Sequence, residues 1–204
     1  MEAFSDGVFA VAITLLVLDI KVPEPPLPGE PHNSLGHDLV AGVQWPHYAA
    51  YVVSFLTIGI IWINHHAMLR RLRATDQIIM TLNLLLLMTV VALPFTTALV
   101  ATYLRASYGH GLAAGVWSGS FLLMSIAFSA LHRHILFNKT HLLVRELPAA
   151  ERQRIFRRNT AGLAPYLLAT VISVVSAYAS VAICAAIAVF YALPFATSAD
   201  SSAA

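Results

Sequence analysis

Long apolar stretches alternate with short polar ones along this chain, and that alternation predicts its elements. The apolar stretches cover residues 4–20, 46–66, 78–103, 112–131, 163–179 and 181–197. Each meets or approaches the roughly 20 mostly apolar residues that a helix needs to cross a bilayer. Lipid offers peptide groups no hydrogen-bond partner, so the spans are expected to be helices. The last two form one run, too long for a single helix, and a turn is expected near Tyr178–Ser180. The pattern therefore predicts an all-α integral membrane protein, one six-helix unit over residues 1–204.

Composition agrees with the pattern. Hydrophobic residues make up 58% of the chain and charged residues 11%, whereas a soluble domain carries about 25% charged residues. Charge then sets the orientation. Arg70, Arg71 and Arg73 lie between the second and third stretches. Arg133, Lys139, Arg145, Arg152, Arg154, Arg157 and Arg158 lie between the fourth and fifth. The other side carries only Lys21 and Arg105, with Glu24, Glu30 and Asp38. This asymmetry predicts a multi-pass cell-membrane protein with both termini cytoplasmic. The first stretch lacks the basic start and small-residue cleavage site of a signal peptide. Residues 21–34 are Pro-rich and expected to form an extended linker on the outer side. LPAAERQRIFRR, within Arg145–Arg158, reads as a surface helix able to rest on anionic headgroups.

Candidate chemistry changes this picture little. The single Cys184 excludes a disulfide framework and a cysteine metal site. Gly115-Val116-Trp117-Ser118-Gly119 has a nucleophile-like look, but the last two spans supply no histidine base, and small residues in membrane helices usually pack. His65-His66 and His132-x-His134 lack the spacing that holds a metal on one helix face. Neither an enzyme, a cofactor nor a nucleic-acid partner is expected. Pro94 and Pro194, each in an L-P-F-x-T piece, are candidate kinks because proline lacks the amide hydrogen.

One polar feature needs a reason: Phe4-Ser5-Asp6 stands directly against the first apolar run. An aspartate at the bilayer centre costs about 2.5–3.5 kcal/mol, so such a residue has a partner or a task. Two readings stay open. Ser5 or Asp6 caps the helix start. Alternatively, Asp6 meets Trp62, Asn64 and His65 at the end of span two and Asn83 in span three, locking three helices together.

FSDGVFAVAITLLVLDI, followed by a second span ending W-x-N-H-H, resembles the bacterial branch of the transmembrane protein 175 family of potassium channels. That family carries an R-x-x-x-F-S-D motif in its first helix, and the motif arginine falls one position before Met1. The chain is thus expected to begin just inside the motif, with LPF of span three and the six-span order also matching. The resemblance implies a homotetramer passing monovalent cations, chiefly K+, through a pore lined by the first helix. It places the constriction at Val11, Leu15 and Leu18, with a hydroxyl at Thr14. It also makes Phe4, Ser5 and Asp6 the motif residues. Positions 11, 14, 15 and 18 share one face of a helix; alone, such a stripe equally fits lipid or a neighbouring helix. Asp19 would then be either a carboxylate at the outer mouth or a solvated helix end. A modest preference for K+ over Na+ follows from hydroxyls in place of a carbonyl cage. The alternative is a proton-coupled transporter or proton leak using Asp6 and His65.

Overall fold

A computed structural model describes residues 1–20, 22, 36 and 44–193. The linker expected at residues 21–34 and the kink expected at Pro194 lie outside the described residues, apart from position 22. Among the described residues eight α-helices follow one another: α1 Glu2–Leu15, α2 Trp45–Leu69, α3 Gln77–Val91, α4 Leu93–Tyr103, α5 His110–Arg133, α6 Ala149–Thr160, α7 Leu163–Ile172 and α8 Ala177–Ala192.

Three continuous helical stretches, Trp45–Leu69, Gln77–Tyr103 and His110–Asn138, are long and apolar enough to cross a membrane. The remaining three expected spans are built differently. After Leu15, α1 tightens into a 3-10 turn over Leu16–Asp19. At about 1.5 and 2.0 Å per residue the two together reach about 29 Å, close to the hydrocarbon thickness of about 30 Å. Leu18 therefore belongs to this tighter turn, and the expected stripe over 11–18 is not one regular helix. The turn expected near Tyr178–Ser180 is found instead at Ser173–Ser176. Ser176 has an extended backbone there, and its side chain accepts from the amide of Ala179, so it caps α8.

Pro94 does interrupt the third stretch. It has no amide hydrogen to offer Val90, and the helix breaks at Ala92 before resuming as α4. Thr96 and Thr97 hydroxyls donate to the carbonyl of Leu93 beside the break.

α5 lies at the centre. Its Trp117, Phe121 and Met124 are fully buried, with Trp117 and Phe121 edge to face at 4.9 Å. Packing and interhelical hydrogen bonds, not water exclusion, join helices inside a bilayer. Both are present: Trp117 Nε1 donates to Ser54 Oγ at 3.1 Å, and Ser54 pairs with Thr97 at 2.7 Å. Gly111, Gly115 and Gly119 line the α5 face that meets α7. A Cβ at Gly111 would stand 2.9 Å from the Ser173 carbonyl oxygen, and one at Gly115 2.7 Å from Ser173 Oγ. The glycines thus allow backbone approach. Ser118 is buried and donates to the Ala114 carbonyl of its own helix.

The segments after α2 and α5 zip together at one end. Val144 N–H donates to Arg71 O at 2.8 Å and Arg73 N–H to Leu142 O at 2.9 Å, forming a bridge at Leu72 and Leu143. Asp76 caps α3 through the Ile79 amide and pairs with Lys139 at 2.9 Å. Both contacts hold the Asp76 carboxyl below its ordinary range, the amide bond first. The basic segments separated in sequence therefore meet at a single end of the bundle, which also holds the start of α1. The expected basic surface helix is α6, with no buried residue.

Candidate functional site

α1 has two opposed faces. Ser5, Phe9, Ala12 and Leu16 recur at i, i+4, i+7 and i+11, and all are buried against α2, α3 and α4. Phe4, Val11, Thr14, Leu15 and Leu18 lie on the other side and are exposed in the single chain, Leu18 at 74%. Thr14 donates its hydroxyl hydrogen back to the carbonyls of Ala10 and Val11 at 3.0 and 2.9 Å. Its oxygen lone pairs are therefore turned outward as acceptors.

The buried face is anchored by a polar chain at the basic end. Asn83 of α3 stands between two helices: its Nδ2 donates to Ser5 Oγ at 3.0 Å, and its Oδ1 accepts from His65 Nε2 at 2.7 Å. All three residues are at most 1% exposed. Phe9 packs on the His65 ring with centroids 5.3 Å apart. The Asn83 geometry fixes the His65 tautomer, because an amide oxygen only accepts.

A second, more exposed chain runs beside it. Trp62 Nε1 donates to Asp6 Oδ1 at 2.8 Å, and His66 Nδ1 approaches Asp6 Oδ2 at 3.3 Å. The other His66 nitrogen is 3.4 Å from Glu2 Oε1. Glu2, Asp6 and His66 form the group of metal-ligand type among the described residues, with donor atoms within 4.8 Å. Both Asp6 oxygens are engaged, and the two His66 nitrogens face different carboxylates.

Of the residues expected to lock the helices, Ser5, Asp6, Trp62, His65 and Asn83 are brought together, in two chains. Two are not. Phe4 is 59% exposed on the open face. Asn64 donates to its own helix at the Ile60 carbonyl. Capping does not explain Asp6, since α1 starts at Glu2 without a side-chain cap. Asp19 is neither a free mouth carboxylate nor a solvated helix end. Its Oδ2 takes a hydrogen bond from His47 Nδ1 at 3.0 Å, both side chains are largely covered, and the pair ties α1 to the first turn of α2.

Sequence reading missed Glu2 and His47, and it carried His66 only as part of W-x-N-H-H, without a partner of its own. Glu2 and Asp6 at i and i+4 were the available signal, because that spacing puts two carboxylates on one helix face. Ser54, Thr97 and Trp117 gave no signal, being one polar or aromatic residue each in separate spans.

Comparison with known proteins places this geometry. The profile of the family described as endosomal/lysosomal potassium channel TMEM175 matches residues 1–94. A potassium channel of Streptomyces collinus is 47% identical over 193 residues, covering 94% of this chain and 89% of the relative. The crystal structure of a lysosomal potassium-selective channel TMEM175 homolog from Chamaesiphon minutus superposes with a TM-score of 0.77 at 38% identity, covering 94% of both chains. The endosomal/lysosomal proton channel TMEM175 of Mus musculus is 37% identical over 107 residues, 52% of this chain and 21% of that protein. Matched along nearly its whole length by the bacterial relatives, and over residues 1–94 by the family profile, this chain belongs to the TMEM175 family.

Proposed function

We propose that this chain forms a potassium-permeable cation channel, a homotetramer whose pore is lined by four copies of α1. The open face of α1 carries the reading: Val11, Thr14, Leu15 and Leu18 are exposed among the described residues, while the opposite face is fixed by Ser5, Asn83 and His65. The names of the bacterial relatives support K+ as the permeant ion.

Four copies of Val11, Leu15 and Leu18 would form stacked apolar rings, which close a pore by dewetting. Four Thr14 hydroxyls between them would replace part of an ion's hydration shell. Such a ring discriminates modestly, since fewer oxygens act than in a carbonyl filter. The six helical passes would be α1 with its 3-10 turn, α2, the α3–α4 pair, α5, α7 and α8. The concentration of arginine at one end supports a cell-membrane orientation with both termini cytoplasmic. No cofactor enters this mechanism, and lipid and permeant cations are the other partners.

Proton permeation is the second reading. It is favoured by the name of the mouse relative and by the Glu2–His66–Asp6 chain at the inner end of α1; with Asp6 and His65 it would make a proton leak or a proton-coupled transporter. Planar-bilayer recording of the purified protein separates the readings. Unitary currents that reverse near the K+ potential and persist without a pH gradient are expected. Slow, saturating flux that requires a pH gradient would reject the channel.

A further inference from the structure

A cavity of about 340 Å³ opens between α2, α5, α6, α7 and α8 at the basic end of the bundle. Its size falls at the lower end of ligand pockets, about 300–1,000 Å³. The lining on α2 runs from Thr57 to Met68, with Arg71 just beyond the helix end, so the cleft extends along the helix axis for about 17 Å at 1.5 Å per residue.

Its two ends differ chemically. The end toward the loops holds Arg71, Arg158, His132 and Asn159, and among the described residues no carboxylate lines the cavity. Away from it the wall is mainly apolar, with Ile60 and Ile61, and Thr57, Ser125, Tyr166 and Tyr191 also line it. His132 supplies an independent sign of a missing partner. It is 2% exposed, and its Nδ1 accepts from Asn159 Nδ2 at 3.1 Å, which leaves the ring hydrogen on Nε2. That Nε2 is buried without a hydrogen-bond partner. Buried donors in folded proteins are almost always satisfied, and His132 lines the cleft, so an acceptor bound there is one way to complete this donor.

We propose that this cleft holds one anionic phospholipid, its phosphate against Arg71, Arg158 and the His132 Nε2–H and an acyl chain along Ile60 and Ile61. Length, polarity gradient and charge all match an amphiphile with an anionic head. Basic pockets between membrane helices take such headgroups. A helix of a second copy, about 10 Å across, is too wide for this volume. The site stands apart from the open face of α1 and does not depend on the pore reading.

The test uses the full chain, stripped of lipid in detergent, and native mass spectrometry after adding equal amounts of phosphatidylglycerol and phosphatidylcholine. Phosphatidylglycerol is expected to be retained at least about tenfold better, and Arg71→Gln with Arg158→Gln to cut that preference by about tenfold. Arg145→Gln with Arg154→Gln, basic but outside the cleft, should leave it unchanged. Ala67→Trp fills the cleft from an exposed lining position and should abolish retention of both lipids, with helix content and melting checked by circular dichroism. Equal retention of the two lipids would overturn the proposal. So would an equal loss from the Arg145/Arg154 control, which indicates surface attraction alone. Protection by inorganic phosphate without retained lipid would assign the cleft to a free anion, and a cross-link between copies through Ala67→Cys would assign it to a subunit contact; either result rejects the lipid.

Discussion

Asn83 joins three helices with one side chain, so replacing it measures how α1 is held. Asn83→Ala removes two buried hydrogen bonds, 2.7 Å to His65 and 3.0 Å to Ser5. The losses are unequal. Ser5 can turn its hydroxyl to a carbonyl of its own helix, so that bond is worth about 0.6 kcal/mol, the mean between membrane helices. His65 has no such recourse: its Nδ1 already lacks a partner, and Asn83 is what Nε2 holds. An orphaned buried donor costs about 1–3 kcal/mol. Together these predict destabilisation by about 2–3 kcal/mol for Asn83→Ala, measured by reversible unfolding in mixed micelles. A double-mutant cycle with Ser5→Ala should give a coupling of about 0.6–1.7 kcal/mol. Zero coupling, with Asn83→Ala as stable as the parent, would refute the claim that this chain of bonds anchors α1.

Other outcomes follow from the same structure. Val11→Ala or Leu15→Ala should raise single-channel conductance or loosen selectivity, because each thins an apolar ring; unchanged currents in both would count against a pore along α1. Thr14→Val should lower the K+/Na+ permeability ratio while leaving melting nearly unchanged, since the Thr14 hydroxyl bonds only its own helix; bi-ionic reversal potentials give the ratio. Gly111→Ala should destabilise by about 1–3 kcal/mol through overpacking on the Ser173 carbonyl. By contrast, Gly119→Ala meets only Thr170 at 3.6 Å and should be neutral or stabilising by up to about 1 kcal/mol, as helix propensity predicts; thermal unfolding of the pair checks the difference in sign. Finally, the Asp76 carboxyl is held below its ordinary range. A depressed carboxylate stabilises the fold above its unfolded pKa of about 3.9, and that contribution is lost as pH falls through the lower folded value. Hydrogen exchange at the start of α3 should therefore quicken below about pH 4, and Asp76→Ala should remove that dependence.

How much of this was present in the chain itself differs from feature to feature. Hydrophobic runs specified a helical membrane protein, because only internally bonded backbone survives in lipid and that constraint acts on each segment alone. The pairing of Phe4-Ser5-Asp6 with W-x-N-H-H was legible as a motif, as were the Pro94 break and the grouping of arginines. The direction of each side chain was not. Ser5 and Asp6 are adjacent in sequence, yet one enters the buried Asn83–His65 chain and the other the exposed Trp62–His66 chain, because neighbouring residues on a helix point about 100° apart. Asp19 shows the same limit: its covered pairing with His47 depends on how α1 meets α2, across a gap of 28 residues. The break at Ser173–Ser176 and the cleft beside His132 are also tertiary facts. They depend on glycines of α5 admitting α7, and on Arg71 just after α2 and Arg158 of α6 closing over one histidine. Sequence settled that the chain is a helical membrane protein; packing alone decided which faces its helices turn to one another and which polar groups were left for a partner.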